Sequence, residues 1–187
     1  MPSHALRIWQ NRRARELDEI AIAHASIGGT GRGRRYATQQ VNHAYLTLLS
    51  AQFQGFCRDL HSECVDHLLV NVTPIKLQKA LREACVTKLS LDKGNPNQAS
   101  LMSDFSRLGF DITTLFGAQR GLRLTLLNHW RNAIAHQDFD PAKLGNNAKL
   151  RLANVRDFRR LCNRLARMLD KISSRHILAI TGQQPWP

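Results

Sequence analysis

Apolar positions recur at three- and four-residue steps through most of the chain, and no stretch alternates apolar and polar residues long enough to argue for a strand. The pattern predicts an all-α protein, a bundle of about five or six helices. The first is expected from about Leu6 to Ser26, where Leu6, Trp9, Leu17, Ile20 and His24 form an incomplete stripe among Arg12, Arg13 and Arg15. So thin a stripe predicts loose packing. Residues 27–35, Ile-Gly-Gly-Thr-Gly-Arg-Gly-Arg-Arg, combine glycines that disfavour a helix with arginines that repel one another, and read as a linker whose cations can also touch phosphates.

A long helix is expected from about Thr38 to Val70, carried by Val41, Tyr45, Leu48, Leu49, Gln52, Phe56, Leu60 and Cys64. Thr73 and Pro74 read as the N-cap and first-turn proline of a third helix ending near Leu91, with Leu77, Ala80, Leu81 and Cys85 on one face. Asp92 to Asn97 is a loop by turn chemistry, followed by a short helix at about Ser100 to Leu108. A further helix carries Leu122, Leu126, Leu127, Trp130, Ala133 and Ile134 up to His136, and Pro141 limits its length. The clearest amphipathic pattern comes last. Leu152, Val155, Phe158, Leu161, Leu165, Met168, Leu169 and Ile172 make its apolar face, with Arg156, Arg159, Arg160, Arg164, Arg167 and Lys171 opposite. The expected organisation is an N-terminal helix and linker at 1–37, a helical bundle at 38–176 and a flexible tail at 177–187.

The chemistry concentrates at the end of the fifth helical pattern, where Arg131, Asn132 and His136 fall within ten residues of Leu127. At about 100° per residue Asn132 and His136 share a face, so the carboxamide can hold one ring nitrogen and select the tautomer. Arg131 and His136, five apart, point roughly 140° from one another on an ideal helix. They converge only if the helix distorts at His136 or a second copy contributes, which favours a composite site at a symmetric dimer interface. Arginine grips a phosphate in a planar fork, and histidine exchanges a proton near neutrality. Together they suit metal-free RNA cleavage: His136 takes the proton of a ribose 2′-OH, the oxygen attacks the adjacent phosphorus, and Arg131 stabilises charge on the phosphoryl oxygens. The plainer reading is that cations collect at a helix C-terminus because they suit its dipole, and that Asn and His cap turns.

Arg131-Asn132-x-x-x-His136, in the setting Asn128-His129-Trp130-Arg131-Asn132-Ala133-Ile134-Ala135-His136, resembles the signature of the HEPN superfamily, particularly the RiboL-PSP-HEPN branch. The long upstream helix through Tyr45 to Leu60 resembles that family too, and the similarity runs from about Val41 to about Arg175. The resemblance implies a homodimeric all-helical bundle whose signature helices meet at the interface and build a metal-independent endoribonuclease, typically a toxin or phage-defence effector. It implies Arg131 and His136 as the catalytic pair and Asn132 as the orienting residue. Two positions depart from the family. Gln54 stands where a glutamate is expected, so an acidic partner is missing unless Asp59 substitutes, and Asp138 stands where one subgroup has a modifiable tyrosine. The latter gives no support to control by a nucleotidyltransferase antitoxin; another antitoxin or regulatory partner stays open.

Composition sharpens the choice of partner. Of a net charge of +13, residues 120–175 supply +9, from 13 lysines and arginines against four acids. Such a field attracts polyanions and predicts salt-sensitive binding; the alternative is a solvated face that keeps the protein soluble. A catalytically silent basic module, binding nucleic acid or a protein, and a dimeric scaffold whose motif only maintains an interface are therefore the competing functions. At 6% aromatic residues a base-stacking platform is disfavoured. Cys57, Cys64, Cys85 and Cys162 have no Cys-x-x-Cys spacing and fall in apolar patterns, which points to buried free thiols. His43, His61 and His67 lack the i, i+4 spacing that ligates metal from one helix and read as surface residues, while His129, one residue before Trp130, can line the site, with a packing or solvent role the plainer reading. No cofactor or metal is expected. Without an apolar run of about 18 residues or a leader, the expected location is the cytoplasm and no membrane partner is expected.

Overall fold

The computed structural model describes residues 1–28, 34–147 and 149–186, the side chains of Arg34, Arg35 and Ala118 apart. It is all-α, with no strand among the described residues. The helices are α1 (His4–Ile8), a π-helical turn (Trp9–Arg13), α2 (Ala14–Ile27), α3 (Arg34–Leu69), α4 (Ile75–Val86), α5 (Ser90–Lys93), α6 (Gln98–Ser106), α7 (Thr113–His136) and α8 (Leu152–Thr181). The segments outnumber the expected five or six because the π turn divides the first helix and a break at 87–89 separates α5 from α4. Of the expected linker, residues 29–33 lie outside the described residues, while Ile27 closes α2 and Arg34 opens α3.

Helix α3 is the axis of the bundle, in contact with every other helix named. Its 36 residues extend about 54 Å at 1.5 Å per residue. Tyr45, Leu46, Leu49, Phe53, Phe56 and Leu60 are all within 1% of complete burial. At about 100° per residue these six share one face roughly 100° wide, and the buried Ser50, Cys57, His61 and Val65 widen the covered arc to about 200°, as a central helix requires. Centrality also corrects the reading of His43 and His61, which are buried rather than on the surface. His61 Nε2 faces the Asp104 carbonyl at 3.1 Å, and the His43 ring stacks on Phe139.

The N-terminal helix is not loosely held. Ala5, Leu6, Trp9 and Leu17 are buried, with Trp9 against Phe53 and Phe56 and its Nε1 donating to Asn163 Oδ1. The π turn swings Arg13 inward, where it donates to the Gln52 carbonyl and pairs with Asp59 at 2.5 Å. Gly55 makes room for that guanidinium: a Cβ there would lie 2.2 Å from Arg13 Nη1. The C-terminal tail is likewise anchored. Ile177 and Trp186 are buried at 1% and 4% exposure, Trp186 lies edge-on to His67, and the helix runs to Thr181. These contacts override the local polarity that predicts fraying.

Helix α4 departs in the other direction. It contains no buried residue, and Leu77 and Leu81 of the expected inward face are exposed. Pro74 occupies its N-cap instead of its first turn. The cysteines follow expectation: Cys57, Cys64 and Cys162 are buried, Cys85 is half-buried, and burial pushes the thiols of Cys57, Cys64 and Cys162 well up from their ordinary value. No described helix is long and apolar enough to cross a membrane.

Candidate functional site

The motif sits on the second part of α7. Gly117 kinks the helix with φ +48°, and Arg120 closes the short first part by donating to the carbonyls of Thr114 and Leu115. From there Leu124, Leu127, Trp130 and Ala133 are buried, which orients the rest of the helix. Leu122, expected on the same stripe, is 68% exposed. The helix runs to His136 and stops through Gln137, which adopts the left-handed conformation at φ +56° while the Asp138 amide donates back to the Ala133 carbonyl at 3.1 Å.

The loop expected from Asp92 begins two residues later, because Asp92 and Lys93 close α5; opposite α7 lie that helix end and the loop at 94–97, stitched down from both sides. Gln54 of α3 donates Nε2–H to the carbonyls of Leu91 and Gly94, and Asn128 donates to the Pro96 carbonyl at 2.8 Å. Asn97 caps α6, its Oδ1 accepting from the Ser100 amide while Ser100 Oγ accepts from the Asn97 amide. The result is an open cleft of about 780 Å³ between the loop and α7. Arg131, Asn132, His129, Asn128 and Thr125 form its α7 wall, and Gln54, Asp92, Lys93 and Asn95 lie across from them.

Arg131 reaches back toward its neighbour, Nη1 lying 3.4 Å from Asn132 Oδ1, and that same oxygen accepts from Asn95 Nδ2 at 2.8 Å. The Asn132 carboxamide is therefore held by Asn95 and Arg131, with no hydrogen bond to His136 among the described residues. The expected selection of the His136 tautomer by Asn132 is not what this chain does. His136, exposed, lines a second depression of about 220 Å³ with Asp138, Lys143, Leu144 and Ala133. The two depressions adjoin, because His129 and Asn132 border both.

Within one chain, then, Arg131 and His136 open into neighbouring spaces with Asn132 as the shared wall. The helix remains regular through His136, so distortion does not bring them together. His129, for which the sequence leaves both a site-lining and a packing or solvent role, is the imidazole that shares the larger cleft with Arg131. Its Nδ1 lies 3.0 Å from the Lys143 carbonyl. A carbonyl only accepts, so Nδ1 carries the proton and Nε2 is left for the solvent side.

Asp59 does not replace the missing glutamate, since it is engaged by Arg13 and borders a different surface depression with Arg58 and Ser62. The carboxylate on the cleft is Asp92, paired with Arg58 at 3.0 Å. Nothing in the local sequence pattern singles out Asp92 or Asn95, and Gln54 is marked in the sequence only as the place of an expected glutamate. Asn95 bonds to Asn132 across 37 residues, and Gln54 is farther still from α7 along the chain, so the packing of α3, the loop and α7 decides which groups face one another.

The basic helix α8 is amphipathic as expected, with Val155, Phe158, Leu161, Leu165, Leu169 and Ile177 buried. Arg159 leaves its solvent face: it donates to Asp18 Oδ1 at 2.6 Å, the Tyr45 hydroxyl at 2.9 Å and the Ala14 carbonyl at 3.1 Å, fastening α2 and α3 to α8. Arg156, Arg160, Arg164, Arg167, Lys171 and Arg175 are exposed at steps of three and four residues, one continuous stripe in which Arg160 pairs with Asp157. Compared with family models, with curated proteins and with solved structures, the chain matches none.

Proposed function

We propose that this protein is a metal-independent endoribonuclease of the HEPN type, cutting RNA by attack of a ribose 2′-OH on the neighbouring phosphorus, as a homodimer acting as a toxin or phage-defence effector. The observation that carries the reading is the open polar cleft in which Arg131 and an imidazole line one wall, continuous with the depression that holds His136. Arg131 supplies a fixed cation for phosphoryl oxygens and His136 an exposed imidazole to take the 2′-OH proton. Since the two lie in adjoining spaces in one chain, pairing of signature helices from two copies is the arrangement that brings an Arg131 onto the partner copy's His136 depression.

The test is cleavage of mixed cellular RNA in buffer containing a chelator. Arg131→Ala and His136→Ala each lower cleavage by about 100-fold or more while leaving the melting temperature unchanged, given that proton transfer by a positioned side chain contributes roughly 10²- to 10⁴-fold. Mixing the two inactive variants restores part of the activity if the site is composite. Cleavage by His136→Ala at the wild-type rate, or loss of all cleavage from the wild type on adding chelator, overturns the reading.

The exposed stripe of α8 favours a second reading, a basic module that binds nucleic acid without cutting it. In that case Arg164→Glu and Arg167→Glu weaken salt-sensitive RNA binding, wild-type protein leaves RNA intact, and changes at Arg131 and His136 have little effect.

A further inference from the structure

Transesterification of RNA moves two protons, and the Arg131–His136 pair accounts for one. The proton of the 2′-OH must be taken, and the departing 5′ oxygen must receive one, or it leaves as a poorly stabilised alkoxide. The proposed reaction therefore needs a second group able to exchange a proton near neutrality, close to the first and open to substrate.

We infer that His129 is that group, the general acid that protonates the 5′ oxygen while His136 serves as base; the inference rests on the ribonuclease reading above. His129 and His136 are seven residues apart on α7, so about two turns separate them and their side chains leave the helix within roughly 20° of the same direction. Their Cα atoms are about 10 Å apart along the axis, a span across which two imidazoles can bracket one phosphodiester. Both are exposed, both border the smaller depression, and His129 also borders the cleft lined by Arg131. The contact from His129 Nδ1 to the Lys143 carbonyl at 3.0 Å fixes the ring and leaves Nε2 free to carry the exchangeable proton. The charged and titratable groups around it are His136 and Arg131 from α7, Asp138 and Lys143 from the loop after it, and Asp92 and Lys93 across the cleft.

In the step itself the 2′-O–H bond breaks and its proton passes to His136. The 2′ oxygen bonds to phosphorus, the P–O5′ bond breaks, and the 5′ oxygen takes the proton from His129 Nε2. The products are a 2′,3′-cyclic phosphate and a free 5′-hydroxyl. The two histidines end in exchanged protonation states that water resets, so no other reactant is consumed.

Two substrates separate the roles. One is an RNA dinucleotide; the other is a uridine 3′-phosphate ester of 4-nitrophenol, whose leaving group departs as a phenolate and needs no acid. His129→Ala is expected to lower dinucleotide cleavage by about 100-fold or more yet change release of 4-nitrophenol by less than about threefold, whereas His136→Ala lowers both. His129→Asn keeps an N–H directed at the Lys143 carbonyl but has no proton at the Nε2 position. It should lose dinucleotide cleavage as fully as His129→Ala, and the pH profile of either variant should lack the limb that falls on the alkaline side. Near-wild-type cleavage by His129→Asn, or equal losses on the two substrates in His129→Ala, assigns His129 a structural role and overturns the inference with the ribonuclease reading intact. A wild-type protein that turns over neither substrate overturns that reading, and the assignment of His129 falls with it.

Discussion

The residues that matter most at single-atom scale are those whose polarity is matched to a carbonyl. Gln54 stands where the resembled family has a glutamate, and it donates from one nitrogen to the carbonyls of Leu91 and Gly94. A carboxylate has no proton to give there and would meet two carbonyl dipoles with like charge. Gln54→Glu is therefore expected to destabilise the protein by about 1–3 kcal/mol in denaturant titration and to loosen α5 and the loop at 94–97. Unchanged stability in that variant would mean that the two contacts hold nothing. Arg159 carries a similar lesson. From the sequence it belongs to a solvated basic face, yet its guanidinium is spent on Asp18, Tyr45 and Ala14, so its loss would affect folding and not the exposed basic stripe.

At the scale of elements, the π turn at Trp9–Arg13 and the glycine it faces on α3 form one device. The wider turn directs Arg13 into the groove beside Gly55, and absence of a side chain there lets the guanidinium reach Gln52 and Asp59. Alanine is otherwise the better helix former, by roughly 1 kcal/mol. Gly55→Ala should nonetheless destabilise by about 1–3 kcal/mol, because the methyl group displaces a buried cation from its partners. A melting temperature raised by that substitution would show that Arg13 relocates without penalty. Helix α7 is built by a comparable combination: Gly117 turns the chain, Arg120 closes the turn, and the buried stripe from Leu124 to Ala133 then fixes which residues face the cleft.

For the molecule as a whole, the histidines enclosed by α3 couple folding to pH. Burial lowers the pKa of both His43 and His61 from the ordinary value of 6.5. His61 Nε2 donates to the Asp104 carbonyl, and its buried Nδ1 has no partner among the described residues, so a second proton would find no acceptor there. Between the lowered folded values and about 6.5 the unfolded chain binds more protons than the folded one, and stability therefore falls as pH drops below about 6.5. Asp170, raised by burial, acts in the opposite sense in more acidic solution. The melting temperature is expected to be lower at pH 5 than at pH 7.5, with a smaller difference in His61→Gln; equal melting temperatures at the two pH values would contradict this. The same scale decides the electrostatics: part of the positive charge forms an exposed stripe on α8, which suits approach of a polyanion along the outside of the bundle.

Periodicity alone determined the all-helical class, the apolar faces of the long helices and the helix end at His136, because each follows from a 3.6-residue repeat and from local turn chemistry. The motif residues were legible for the same reason, all three lying within six positions of one helix. Tertiary structure decided everything that depends on what packs opposite. It buried His43 and His61 inside α3's neighbours, exposed Leu122 and the apolar face of α4, anchored both termini, removed Arg159 from the basic face, and set Gln54, Asp92 and Asn95 across from Arg131. It also placed His129 beside Arg131 in the larger cleft and His136 in the adjoining one. A sequence fixes directions around a single helix axis, but which direction meets protein and which meets solvent is set by the other helices, through contacts between residues far apart along the chain.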